Sequence, residues 1–288
     1  MEKVQERQAG FMTETKAATG IQEAGFLLEL SLDWIVLRAS ENVHRLLGES
    51  HVTLIEEPLG RFVHSQALHD LRNLFSRLSG TTGICRAYRV RLTDEPDLFD
   101  IAFQQVGSRV VLECVPSPQE GFGEALGVVG GLADGLAGEG SLIDSAARRM
   151  RALTAYDRVS LIVGTSKAAS DRSGVPFRAG ANASLGDDFP AIVVDNAHSS
   201  VPIFPRRDED RAVAAAILRA PSADQQSQLG ERGFASTMRV PVSLDGEAVG
   251  EFRLAHMKPR RPSFELHAAA ELFAQLFAMR VQIDRLKA

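Results

Sequence analysis

Residues 26–40 read FLLELSLDWIVLRAS, two short apolar runs parted by Ser31-Leu32-Asp33. Runs of that length around a polar turn predict a β-hairpin. A short amphipathic helix is expected next over ENVHRLLG (41–48), with Gly48 as its C-cap, because a helix end needs a residue at ease in the left-handed region. A longer helix is expected over about residues 65–78, where Leu68, Leu71, Leu74 and Phe75 share a stripe. Three strands then follow, ICRAYRVRL (84–92), LFDIAFQQV (98–106) and SRVVLECV (108–115). Two strands, helices and three more strands predict a five-stranded antiparallel α+β unit ending near Pro116.

Outward from that unit the chain divides by composition. Residues 1–20 are polar, without the apolar core of a signal peptide. Residues 21–117 form the first expected domain, and 118–140, rich in glycine and small residues, read as a linker that is partly helical. Residues 141–288 form the second domain. It opens on a helix over SLIDSAARRMRALT, with Ser141 as N-cap and Asp144 three residues on. Strands are expected at DRVSLIVG, around VPFRAG, at AIVVD, FASTMRVPVSL and GEAVGEFRLAHM, the last two joined by the hairpin signal Asp245-Gly246. A long helix closes the chain from Ser263. Along it Leu272, Leu276, Met279, Ile283 and Leu286 step alternately by four and three, a heptad seam, with Phe273 and Phe277 beside it. One wide core-facing stripe would account for these residues. So would a second apolar face seated on a parallel partner helix, the reading taken here.

Composition excludes several classes. The 288 residues carry a net charge of −5 and no basic face, so a nucleic-acid partner is not expected. No apolar run is long enough to span a membrane, and two cysteines, Cys85 and Cys114, make no disulfide framework, so a cytoplasmic protein is expected. Both cysteines lie in expected strands, where burial is the ordinary fate of a thiol; a redox pair is the alternative. His198 stands near Asp195, Ser199 and Ser200, but no G-x-S-x-G elbow accompanies it. Gly121, Gly123 and Gly127 miss the dinucleotide spacing by one residue, and no metal-ligand spacing occurs. No enzyme is expected.

Several segments resemble bacterial phytochromes. GIQEAGFLLEL (20–30) resembles the family opening PGxIQxHGxLL, keeping Gly20, Ile21, Gln22, Gly25 and the paired leucines, with Ala24 where the family has histidine. TAYDRVSLIV (154–163), AIVVDNAHSSVPIFP (191–205), the stretch 217–257 and the final helix resemble later segments in the same order. The resemblance implies an α+β fold of two domains, PAS-like then GAF-like, each with a central antiparallel sheet flanked by helices. It also implies a figure-of-eight knot: the N-terminal segment would thread a lasso whose counterpart is RRDEDRAVAAAILRAPSADQQ (206–226), plugged by Ile21. Homodimerisation and an output such as a histidine kinase are implied partners.

The departures carry the functional expectation. The family attaches its bilin to a cysteine about twelve residues before Gln22, or to one in the region that here reads APSADQQSQ (220–228); neither place holds a cysteine. LGDDFP (185–190) is the match to the segment whose aspartate carbonyl faces the pyrrole nitrogens, giving Asp188. The helix that should follow, with its tyrosine and arginine, is missing. Arg219 matches a propionate-holding arginine, Gln225 stands where the family has a pocket histidine, and His256 matches a second histidine. A sensory module with no cofactor is therefore expected, with non-covalent biliverdin as the alternative.

Overall fold

The protein, seen here as a computed structural model, is described over residues 20–77, 83–118, 123–137, 140–177, 188–208 and 210–287. Strand β1 (Gly20–Gln22) precedes the expected hairpin, β2 (Phe26–Ser31) and β3 (Val36–Ser40), in which Leu28 faces Ala39. One-turn helices α1 (His44–Leu47) and α2 (His51–Leu54) follow, α1 ending at Gly48 with φ +77° as its sequence requires. Helix α3 (Ser65–Ser76) then leads to β4 (Cys85–Val90), β5 (Phe99–Val106) and β6 (Arg109–Pro116). The glycine-rich stretch read as a linker holds an ordered helix, α4 (Glu124–Asp134).

Helix α5 (Leu142–Thr154) starts as expected, with Ser141 Oγ accepting from the Asp144 amide. Strands β7 (Arg158–Val163), β8 (Ser166–Asp171), β9 (Ile192–Val193) and β10 (Ser200–Phe204) come next, then helices α6 (Arg211–Ala215) and α7 (Ala223–Arg232). Strands β11 (Ser236–Leu244) and β12 (Glu247–His256) meet at a turn where Asp245 and Gly246 both have positive φ, and α8 (Phe264–Lys287) ends the chain. Strand β8, with the polar sequence SKAASD, carries no apolar alternation and was not foreseen. The strand expected around VPFRAG is absent from Val175–Phe177; its remainder, 178–180, lies outside the described residues.

The second sheet is five-stranded and antiparallel, in the order β8-β7-β12-β11-β9. The first is seven-stranded rather than five, β1-β10-β3-β2-β6-β5-β4, because β10 from the second half of the chain pairs with β3 and β1 adds beyond it. Alternation along β2 explains why. Phe26, Leu28 and Leu30 enter the first core with Val36, Leu71 and Phe103, while Leu27 points the other way. There it joins Ala102, Val111 and Val115 in a core shared with α4, α5, α8 and β12 through Val129, Met150, Phe273 and Phe252. A strand buried on both faces reads as a continuous apolar run, which FLLEL nearly is.

The exception in that run is Glu29. Its buried carboxylate takes Arg38 Nη1 at 2.9 Å and Arg207 Nη1 at 2.9 Å. Arg38, 1% exposed, also donates to both Asp210 oxygens, at 2.9 and 2.5 Å, and through Nε to the Pro205 carbonyl at 2.7 Å. Burial pushes the Asp210 carboxyl up, but the Arg38 bonds outweigh it and hold the group below its ordinary value. This cluster fastens the 205–210 segment to β2 and β3. Arg38→Ala would leave the part-buried Asp210 without its bidentate partner and the buried Glu29 with Arg207 alone, at a cost of about 3 kcal/mol. Urea denaturation should show that loss as a lower midpoint with an unchanged slope.

Candidate functional site

Strand β1 is held on both sides. Ile21 pairs with Val201 of β10 and bridges to Arg219, while Gln22 N donates to Leu218 O and Ala220 N to Gly20 O. The buried Gln22 side chain donates to Ile192 O at 2.7 Å and Arg219 O at 3.1 Å, and accepts from Val194 N at 2.8 Å. Both N–H donors of that amide and its carbonyl oxygen are used, which is the physical reason for a glutamine here. Gly25 is needed for a close approach: a Cβ would collide with the Cys114 carbonyl and the Leu218 side chain.

The segment that clasps β1 also carries the first predicted site residue, Arg219. The second, Gln225, lies in the first turn of α7. That helix opens with a capping box in which Ser222 Oγ accepts from Gln225 N and Gln225 Oε1 accepts from Ser222 N. The box aims the free end of Gln225 at Asp188, whose carbonyl accepts from Gln225 Nε2 at 2.7 Å. Arg219 Nη2 donates to the same carbonyl at 2.5 Å, and Arg219 Nη1 meets the Asp188 carboxylate at 3.0 Å. A carbonyl has two lone pairs, and both are taken by protein.

His256 is not part of this group. At the end of β12 its Nδ1 lies 2.8 Å from Asp157 Oδ2, an oxygen that accepts from Met257 N at 3.0 Å, with Arg172 3.5 Å from the other oxygen. Burial lowers the His256 pKa, and the nearby Asp157 only partly offsets this. Tyr156 meets the His256 ring edge-on and lies under the Arg260 guanidinium; burial pushes its hydroxyl up to about 12. Between the two groups Phe189, Val193, Leu229, Phe234 and Ala255 form a separate apolar cluster, with Phe177 and Met257 against it. Phe177 is covered by Arg158, 4.1 Å from its ring and paired with Asp171. Asp157 and Tyr156 were not singled out in the sequence. Nothing marks them there, since their role rests on contacts across strands.

Other candidates resolve simply. His198 contacts Asp195 at 3.4 Å and Glu23 at 4.0 Å, two carboxylates and no nucleophile. Cys85 lies opposite Phe103, and Phe103 opposite Leu112, two residues from Cys114. Two strand spacings put the cysteines at least about 9 Å apart, beyond the about 7 Å Cα limit for a disulfide. Burial raises both thiols, Cys114 well above its ordinary value. Among the described residues no group of three or more His, Cys, Asp or Glu is placed to hold a metal ion, and no helix is long and apolar enough to cross a membrane. Helix α8 has two apolar faces. Phe264, Phe273 and Phe277 are fully buried, whereas Leu272, Met279, Ile283 and Leu286 are exposed and Leu276 is half-buried.

Residues 12–117 match the family model described as PAS fold. The chain as a whole has the fold of a bacteriophytochrome PAS-GAF module. It is similar to a bacteriophytochrome from the photosynthetic bacterium R. palustris, with a TM-score of 0.74 and 21% identity over 92% of this chain and 58% of that one. It thus spans little more than half the length of that protein. The chromophore-binding domain of the same protein matches with a TM-score of 0.73 and 21% identity, over 94% and 97% of the two chains. The chromophore-binding domain of a Stigmatella aurantiaca phytochrome matches with a TM-score of 0.73 and 20% identity, over 91% and 95%. In this fold the Asp188 carbonyl and Arg219, which the resemblance assigns to a bilin site, are engaged with each other, and Gln225 closes on them. Gln225→Ala should remove the side-chain half of the capping box and the tie to Asp188, leaving the Ser222 cap in place, and lower stability by about 1–2 kcal/mol in a thermal unfolding experiment.

Proposed function

We propose that the chain is a phytochrome-like sensory and signal-transduction module that holds no bilin and acts through dimerisation and protein–protein contact. The observation that carries this reading is the doubly engaged carbonyl of Asp188. A chromophore would have to displace an arginine and a glutamine that are already satisfied, and a buried donor left without a partner costs about 1–3 kcal/mol. The sequence supports it further, with no cysteine at either attachment position. Retention of Arg219 and His256 is what favours the alternative, non-covalent biliverdin. The clasp of β1 between β10 and Leu218–Ala220 supports the figure-of-eight threading, with Ile21 as the plug. The domain limits 21–117 and 141–288, a cytoplasmic site of action, a kinase-type output partner and the lack of enzymatic activity belong to the same proposal.

An absorption spectrum from the near-ultraviolet to the far red, taken with excess biliverdin before and after red illumination, tests the first half. It should remain that of the free pigment; a stable red band that shifts with light overturns the reading. For the second half, the seam Leu272, Leu276, Met279, Ile283 and Leu286, exposed except for the half-buried Leu276, is the proposed dimer contact. Sedimentation should find a dimer in the native chain and a monomer in Ile283→Glu, whose charge would face the partner helix. A native monomer sinks the dimer.

A further inference from the structure

Helix α8 carries the proposed dimer seam, and its first half is held from both sheets. On the second-sheet side the hold is apolar: the rings of Phe273 and Phe277 lie 6.2 and 5.6 Å from that of Phe252 on β12. On the first-sheet side it is polar. Arg86 of β4 pairs through Nη2 with Glu271 Oε2 at 2.8 Å and contacts the buried His267 at Nδ1, 3.1 Å away. Ring packing survives a small slide of the helix, whereas a bond from a guanidinium to a carboxylate has one geometry. Leu272, where the exposed seam begins, is the residue after Glu271.

Arg86 is not fully used where it stands. Its Nε–H is buried without a partner among the described residues, and so is Oδ2 of Asp100 on β5. Asp100 is fully buried, and only its other oxygen is occupied, accepting from Arg89 N at 3.0 Å and from Ser117 Oγ. The two leftover groups share one face of the sheet. Arg86 lies opposite Ala102, and Asp100 is two residues along β5 from Ala102, beside the bulge between Ala87 and Val90. Diagonal neighbours of this kind are about 7–8 Å apart, within reach of a long side chain. Tyr88, in the bulge, stands near Arg86, Asp100 and Glu271 alike. One guanidinium therefore lies between a carboxylate of α8 and a carboxylate of its own sheet.

Resting on the reading of α8 as the dimerisation helix, we propose that Arg86 has two seats: on Glu271 and His267 it holds α8 to the first sheet, and on Asp100 it releases the helix. In the second seat Nε–H and one Nη would face Asp100 as a fork, pairing both groups that the first seat leaves over. Glu271, already partly exposed, would turn to water. A buried donor and a buried acceptor without partners disfavour the held arrangement, and their pairing favours the released one, so the two lie close in free energy. A change in the first sheet that moves Arg86 between its seats thereby reaches the start of the seam.

Amide hydrogen exchange in the first half of α8, measured on the whole chain, reads the release. The two carboxylates should act in opposite directions. Glu271→Gln weakens the held state and should lower protection at residues 269–273 about tenfold, the worth of one hydrogen bond to a charged group. Asp100→Asn weakens the released state and should raise protection there by a similar factor, whereas an Asp100 that merely supports the sheet would lower it. With Arg86→Gln in place, neither change should move those amides. Nitrogen-15 spectra of the arginine side chains give a second reading that leaves Asp100 intact: the Arg86 Nε–H signal should shift to that of a hydrogen-bonded proton in Glu271→Gln. Protection lowered or unchanged by Asp100→Asn, effects that persist in Arg86→Gln, or an Nε–H signal that stays in place each overturns the two seats. All these readings are internal to one chain, so a native monomer would refute the dimer and leave this test standing.

Discussion

The first sheet has two faces to bury, and the second of them carries carboxylates. Leu27, Val111 and Val115 turn away from the first core and must be covered, and Glu29 and Glu113 turn the same way from the same strands. A cover of apolar side chains alone would leave two acids without partners, each costing several kcal/mol. The second half of the chain supplies both kinds of contact. Helix α8 and its neighbours bring Phe273 and Phe277, while the connection between β10 and α7 brings Arg207, Asp210 with its grip on Arg38, and the amides of Ile217 and Leu218. The polar positions fix which part of the second half lies over which strand.

Placement of that connection determines the candidate site. Because 217–220 is anchored to β6 on one side and β1 on the other, Arg219 leaves it in one direction, toward Asp188. Gln225 is aimed by its own helix cap at the same carbonyl. His256, on a strand of the other sheet, instead answers to Asp157. Asp188, Arg219 and Gln225 are taken up with one another, and an apolar cluster with three phenylalanines among its residues stands beside them.

Much of this was legible. The hairpin at 26–40, the strands at 84–115, the cap at Ser141, the Asp245-Gly246 turn and the long final helix all follow from local patterning, and each is found. The order of motifs such as GIQEAGFLLEL gave the two-domain fold. Apart from β8, whose polar sequence hides a strand paired to its neighbour β7, what escaped rests on contact between residues far apart in sequence. Strand β10 contains Pro202 and sits in a loop-like stretch; it is a strand because β1 and β3 lie on either side of it. Helix α4 was foreseen only as a partly helical linker because Gly127, Gly130 and Gly131 weaken a helix, and Val129 packs it into the shared core. The four site residues were identified by likeness, but which of them touch was decided by anchoring at Glu113 and Gln22, 75 or more residues from any of them.

Strand β10 pairs Ile203 with Ser40 and Val201 with Ile21, partners separated by more than 160 residues. A ribosome making this chain releases the beginning of the first sheet long before the strand that covers it. At a synthesis rate of about 5–20 residues per second, the edge of β3 and the strand β1 wait on the order of ten seconds or more for their neighbour. Pairing over such distances is also slow once possible. During that interval the nascent chain presents open strand edges, the kind of surface on which chains aggregate and which chaperones cover.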